Sequence, residues 1–396
     1  MFIANRIAIT QVEGQILVGK LNGYVGIVLK RVLSYLWDRK WRKEPKLSRR
    51  ATAGAAGIIR LWLSLNDRNI PLHLNTQLKK LIREGDRVSG VEIEIFADKT
   101  IGGKSFKAGD TIKLGCNKGV ILAAGGFEQN QEMREQYLPQ PTSTKWSAGC
   151  VTNTGDAIRA GQAIGAATRL MQQAWWCTTL VVPTLKYPFL SIVTKSLPGC
   201  ITVNQYGKRF SNESQNYMAF QQEAFAKHSE GTPSFPMYMI FDHTFKANYA
   251  VFPIMGPRYF LPGRLFEEKF LAIENTLEEL AKAMDIDPQG LANTVSAFNA
   301  HAAKGEDPEF DRGKSAYDRY YGDPDVTPNP CLAPIIKPPF YAMRMEPGDF
   351  GTQGGLSTNH HGQVISTDGT PIEGLYACGN CSAAILPTYP GPGSTL

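Results

Sequence analysis

Near the end of this 396-residue chain a tyrosine stands directly before two prolines and two glycines, Tyr389-Pro390-Gly391-Pro392-Gly393. Proline fixes φ and removes a donor, while glycine lets backbone approach a flat ligand without a Cβ in the way. Such a turn can aim a tyrosine hydroxyl and a bare glycine N–H at one point. Two donors converging on a carbonyl oxygen stabilise the charge that develops there in enolate chemistry. By composition alone the same residues also make a rigid surface turn. Three further tight turns accompany it: Ala124-Gly125-Gly126 after the apolar run from Gly119, Gly354-Gly355, and Gly379-Asn380. Gly155-Asp156 opens a helical pattern. Glycine turns after strands and at helix starts suit a long, flat ligand that bears phosphate.

Other chemistries find less support. Cys378-x-x-Cys381 has the spacing of a redox pair but lacks the βαβ context, and a zinc site would need two more ligands. The six histidines form no metal pattern, so no metal is expected, although His360-His361 follow the Gly354-Gly355 turn and could line a cofactor. Trp175-Trp176 read as packing residues.

Elements must hold these turns in place. At this length two domains are the default. Residues 1–50 read as helical, 51–65 as a second helix, 70–76 as a short strand and 88–95 as an alternating strand of a hairpin or meander. The run 119–127 reads as a strand buried on both faces, and 154–171 as one long helix. Strands are expected over 174–210. Two helices follow around Asp285–Asp287, with Asp287 as N-cap and Pro288 at N1, then a long ordered loop over 304–340 and strands from 340 to 376. The outer segments thus make one α/β domain, with 211–345 inserted as a second.

Seven cysteines at scattered positions fit unpaired thiols in a reducing, cytoplasmic setting. No apolar run approaches the ~18 residues of a membrane span, and MFIANRIAIT lacks the pattern of a secretion signal. The net charge of +6 is concentrated: residues 30–50 hold nine Lys and Arg against Asp38 and Glu44, with Trp37 and Trp41 among them. A solvated helix face is the plain reading, and a peripheral membrane contact is the functional one. No nucleic-acid-binding module accompanies the patch.

Taken together, the motifs resemble a known family. The runs LAAGGFEQNQEMREQYLP (122–139), TGDAIRAGQAIGAA (154–167) and NQYGKRFSNES (204–214) resemble the fumarate reductase/succinate dehydrogenase-type FAD flavoproteins. The runs DPEFDRGKSAYDRYYGDP, PPFYAMRMEPGDFGTQGGLSTN and GLYACGNCSAAILPTYPGPGSTL resemble its 3-ketosteroid Δ1-dehydrogenase branch. That resemblance implies FAD as cofactor, a Rossmann-like FAD-binding domain over 1–210 and 346–396, and an inserted α+β cap over 211–345. It implies cofactor contacts at Ala124, Gly125, Gly126, Gly155, Asp156, Gly354, Gly355, Gly379, Asn380, Ser394 and Leu396.

The implied reaction is 1,2-desaturation of a 3-oxosteroid. Tyr389 and the Gly393 N–H would hold the C3 oxygen, Tyr249 would take the C2 proton, and flavin N5 would take hydride from C1, with the onward electron acceptor unassigned. The alternatives are another flavoprotein of the superfamily, such as a 3-oxosteroid 4-dehydrogenase or a fumarate reductase-like enzyme, and an inactive remnant. The family's opening G-x-G-x-x-G unit has no match, because Gly19, Gly23 and Gly26 have the wrong spacing and no strand is expected before them. The chain is therefore expected to be truncated at both ends.

Overall fold

The computed structural model describes residues 2–3, 7–18, 22–44, 48–52, 54–254, 261–386 and 388–389. The chain falls into two units, Met1–Leu74 with Thr244–Phe260, and Asn75–His243 with Leu261–Leu396.

The first unit is mainly helical. After Gly23, at φ 92°, helix α1 runs over Tyr24–Trp37. Asp38 ends it and caps a short helix, Arg39–Lys43, by accepting from the Trp41 N–H. Helix α2 spans Gly54–Asp67. The described part of 1–50 is not wholly helical: Phe2–Ile3 and Ile7–Ala8 pair antiparallel ahead of Gly19, as β-branched isoleucines favour. The strand expected over 70–76 begins only at Thr76, because Asn75 adopts φ 53°, outside extended geometry.

The second unit contains both large sheets. The first is built from β1 (Thr76–Glu84), β2 (Arg87–Ile95), β3 (Thr111–Gly115), β4 (Val120–Leu122) and two later strands, β10 (Gln363–Ile365) and β11 (Pro371–Ala377). The expected meander is present, with β2 antiparallel to both β1 and β3. Strand β11 runs parallel to β4, with Leu375 opposite Val120 and Ala377 opposite Leu122. β4 is shorter than expected and is not buried on both faces. Ile121 is 68% exposed, since β4 pairs along one edge only among the described residues. The expected long helix over 154–171 is limited to α3, Asp156–Gln162. Gly165, at φ 89°, turns the chain, and Thr168–Arg169 then pairs with Gly355–Leu356.

The second sheet is antiparallel and centres on β9, Phe340–Thr352. β9 pairs with β5 (Ala174–Leu180), β7 (Met237–Phe241) and β8 (Leu271–Glu274), and β6 (Cys200–Asn204) pairs with β7. β5 and β6 come from the segment expected to bind cofactor, and β9 crosses the expected boundary at 345/346.

Helix α4 (Tyr217–Ser229) lies against β5, with Phe225 packed edge-on to the buried Trp176 at 4.8 Å. Helices α5 (Leu277–Ala283) and α6 (Pro288–Ala302) start as the sequence dictates, from a Thr276–Glu279 capping box and from Asp287 with Pro288. Their apolar faces, with Leu280, Leu291 and Val295, close over Ile201, Val203 and Ile240 of the sheet. The expected loop over 304–340 contains one short helix, α7, Ala316–Tyr320.

Candidate active site

The two parallel strands stop side by side, and the residues after them are small. After β4 come Ala123 and Ala124, both exposed; after β11 come Cys378 and Gly379, also exposed. The Cys378 N–H donates to the Leu122 carbonyl at 3.0 Å, so the two turns share one anchor. Buried Cys381 donates its Sγ–H to the same carbonyl at 2.9 Å, and its thiol is pushed up by burial. Both cysteines of this pair are free thiols. Gly125 takes φ 78°, a left-handed conformation that glycine adopts without cost.

The remaining glycine turns are tied to this pair. The Gly155 N–H donates to the Gly126 carbonyl at 3.0 Å. The Phe127 N–H donates to Thr352 Oγ1 at 3.0 Å, joining the first turn to the end of β9. Beyond it Gly354 packs so closely that a Cβ would lie 2.4 Å from Met171 Cα. The Ala384 N–H donates to the Gln353 carbonyl, and the Ala383 N–H to that of Leu356. Asn380 accepts from Trp175 Nε1 at 3.2 Å, a contact that a packing role for Trp175 did not foresee. Ala124, Gly125, Gly126, Gly155, Asp156, Gly354, Gly355, Gly379 and Asn380 therefore belong to one connected set of turns. His360 and His361 are exposed on a separate turn. Gly393, Ser394 and Leu396 lie outside the described residues.

Two buried acids brace the turns from within. Burial pushes the Glu128 carboxyl above its ordinary range, against the opposing hydrogen bond from Asn153 Nδ2 at 2.6 Å. Asp349, fully buried, pairs with equally buried Arg134 at 2.8 Å and accepts from Ser147 Oγ at 2.6 Å. The Gln353 Oε1 is buried and has no hydrogen-bond partner among the described residues.

Next to these turns stands a tyrosine cluster. Half-buried Tyr389 meets the Tyr217 ring edge-on at 4.8 Å and the Tyr317 ring at 5.7 Å. Tyr217 in turn packs on Phe350 of β9 at 5.5 Å, and Tyr317 on Tyr321 at 5.7 Å. Tyr217 is the first residue of α4, whose N-cap Asn216 accepts from the Ala219 N–H at 2.8 Å. Burial, and after it the nearby Tyr389, push the Tyr217, Tyr317 and Tyr321 phenols upward, so all three favour the neutral, donating form. The Tyr317 hydroxyl is buried without an aligned hydrogen-bond partner among the described residues, although Tyr389 is near enough to act on its ionisation.

Of the sequence-derived catalytic residues, Tyr389 is in this cluster. Tyr249 is buried in the other unit, its ring 5.0 Å from Phe245. Tyr217 and Tyr317 escaped the sequence reading. The usable signals were an Asn-Tyr pair opening a helix one residue after NES, and the aromatic run Tyr317-Asp318-Arg319-Tyr320-Tyr321. No group of three or more His, Cys, Asp or Glu suited to a metal occurs among the described residues.

Comparison with known proteins shows the family. The profile of the FAD binding domain family matches residues 21–396. A 3-oxosteroid 1-dehydrogenase of Mycolicibacterium smegmatis is 39% identical over 348 residues, covering 87% of this chain and 59% of the relative. A 4-oxocyclohexanecarboxylate 2-dehydrogenase of Sinomonas cyclohexanicum is 37% identical over 72% of this chain and 49% of its own length. The crystal structure of 3-ketosteroid delta1-dehydrogenase from Sterolibacterium denitrificans, in complex with 1,4-androstadiene-3,17-dione, superposes with a TM-score of 0.87 at 40% identity, over 96% of this chain and 67% of that one. The chain thus spans about three fifths of the length of the curated 3-oxosteroid 1-dehydrogenase.

Proposed function

This chain belongs to the FAD binding domain family, in its 3-ketosteroid Δ1-dehydrogenase branch, and from that premise we propose that it carries out FAD-dependent 1,2-desaturation of a 3-oxosteroid. The observation that carries the reading is the chain of ring contacts that joins Tyr389 to the strand leading into the Gly354 turn. Phe350, just before the Gly354 turn, packs on Tyr217, which packs on Tyr389.

FAD fits the residues present. The carboxyl ends of parallel strands are where open α/β sheets bind flat ligands. Here Ala124 and Gly379 leave that edge bare, and Gln353 offers a buried acceptor that has no partner among the described residues. When bound, FAD supplies the hydride acceptor for the oxidation. In this proposal segments 1–210 and 346–396 hold the cofactor and 211–345 covers the substrate, with β5, β6 and β9 shared between the two tasks.

The chain's own work is to hold a ketone and move a proton. Tyr389, with the Gly393 N–H, donates to the C3 oxygen and acidifies the C2 proton. The neutral aromatic surroundings of Tyr389 favour a ketone over a dicarboxylate, which would call for arginine. The base is a tyrosine. Sequence reasoning put this role on Tyr249; the ring contact with Tyr389 favours Tyr217, at the amino end of α4, where the helix dipole eases the negative charge that burial resists. Hydrogen–deuterium exchange at C2 of androst-4-ene-3,17-dione by the full-length enzyme tests the assignment. Tyr217→Phe should stop exchange while steroid still binds. If exchange stops in Tyr249→Phe instead, the base is Tyr249; if it continues in both, neither is. Absence of a 1,4-diene product from the flavin-loaded enzyme would sink the function itself.

The same proposal places the protein in the cytoplasm with a peripheral hold on the membrane. No described helix is long and apolar enough to cross a bilayer. Instead α1 exposes Leu29, Leu33, Leu36 and Trp37, the last at 82%. Arg31 and Arg49 pair with Glu13 and Asp38, whereas Lys30, Arg39, Lys40, Arg42 and Lys43 form no ion pair among the described residues. Leucine and tryptophan with adjacent cations suit an anionic membrane surface.

A further inference from the structure

Away from the tyrosines, the second unit has a cavity of about 930 Å³ where the last turns of α4 face β9. Trp146, Phe225 and Phe235 supply aromatic wall, and His228, Arg344 and Glu346 are the titratable groups in its lining. None of Tyr217, Tyr317 or Tyr389 lines it. Phe225 lies eight residues beyond Tyr217 on α4, roughly 12 Å along the axis at 1.5 Å per residue. It is an open cleft, of a volume in the range of small-ligand sites.

Its polar groups are arranged for one sign of charge. Glu346 is buried, and its carboxylate lies 2.7 Å from Arg344 Nε. The ion pair is close, although that nitrogen is buried and makes no aligned hydrogen bond among the described residues. The Arg344 side chain is 43% exposed, so its outer N–H groups are open to a ligand. His228 accepts from the Ser234 N–H through Nδ1 at 3.3 Å, which leaves the proton of the neutral ring on Nε2. The ring rests on Phe235 at 5.0 Å. The lining therefore offers a planar guanidinium fork and an imidazole N–H, both donors, beside aromatic wall. Its acceptor, Glu346, is already held by Arg344.

We propose that this cavity is a second ligand site, for an amphipathic carboxylate whose ring body lies against Phe225, Phe235 and Trp146 and whose carboxylate engages Arg344 and His228. Arginine recognises a carboxylate through two parallel hydrogen bonds, which a neutral or cationic group cannot reproduce. The site needs no flavin and no steroid turnover, so it stands or falls apart from the reading of the tyrosine cluster.

Titration calorimetry on the full-length protein tests it, with naphthalene-2-carboxylate as probe and the uncharged 2-naphthalenemethanol as control. One site per chain is expected, with a Kd below ~1 mM and the alcohol at least fivefold weaker. Arg344→Gln should weaken the carboxylate at least fivefold and leave the alcohol unchanged. His228→Phe keeps the ring and removes the donor, and should weaken the carboxylate about twofold or more. Phe235→Leu should weaken both probes, with circular dichroism showing that the variant is folded. Tyr389→Phe, outside this lining, should leave the Kd of both probes unchanged. The proposal is overturned if the carboxylate gives no binding heat, if alcohol and carboxylate bind alike, if Arg344→Gln binds as tightly as the parent, or if Tyr389→Phe abolishes binding and so moves the ligand to the tyrosines.

Discussion

Tyr389 was legible because its chemistry is written locally: a hydroxyl before two prolines and two glycines is an unusual string. Its neighbours were not, since Tyr217 and Tyr317 are ordinary tyrosines until folding carries α4 and α7 to it. Long-range ring contacts leave no periodicity to read. Replacing Tyr389 with Phe removes one donor from the ketone and should raise the barrier to turnover by ~2–4 kcal/mol. Steady-state rates with androst-4-ene-3,17-dione measure this, and an unchanged kcat would remove the hydroxyl from the reaction. Gly354 makes a different kind of demand. A Cβ there would meet backbone, Met171 Cα at 2.4 Å and the Leu170 carbonyl oxygen at 2.6 Å, which cannot swing aside. Gly354→Ala should therefore cost ~1–3 kcal/mol of stability and weaken FAD retention, read as a lower Tm and a higher flavin Kd.

At the scale of elements, the sequence reading did best where capping chemistry is explicit. Thr276 with Glu279, and Asp287 with Pro288, start α5 and α6 where side chains dictate. It failed where a tertiary partner cut a pattern short. Residues 154–171 have helical composition throughout, yet only 156–162 is helix, because the segment after Gly165 is taken by a strand pairing with Gly355–Leu356. Helix α1 presents the opposite case, an apolar pattern with no described residue buried. If it meets a bilayer, the protein should sediment with vesicles containing ~30% anionic lipid and be released by ~0.5 M salt, since screening acts on the lysines and arginines. Replacing Trp37 and Leu33 by Ser should reduce binding at every salt concentration. Equal sedimentation with neutral vesicles would count against the basic residues having a part.

Across the whole molecule, charges distant in sequence are buried together. Arg209 bonds Glu213 and Asp307, and Arg312 bonds Glu213 at 3.0 Å, all nearly or fully buried. Burial alone would raise the Glu213 carboxyl, but Arg209 and Arg312 outweigh it and bring it from 4.5 to about 2. The unfolded chain therefore takes up this proton first. The stability it contributes is full above about 4.5 and is lost as the pH falls through about 2. Burial gives Glu128 and Glu346 the opposite slope, because the folded state holds their protons longer. Urea midpoints between pH 6 and pH 2 should thus fall on the acid side. Glu213→Gln should start lower, with two guanidiniums left short of charge, and show a shallower acid decline. An unchanged decline would place the acid sensitivity elsewhere.

Strand β9 also acts as a fixed spacer. It runs from Phe340 to Thr352 and shifts register against β5 only beyond Asp349; Arg344 and Glu346 stand on the cavity wall at its middle, and Phe350 seats Tyr217 near its end. Side chains alternate faces with a period of two, so adding or deleting one residue between Glu346 and Phe350 would rotate that phenylalanine to the opposite side of the sheet. A one-residue insertion there should silence the enzyme with every hydroxyl intact, whereas a matched two-residue insertion should restore part of the activity.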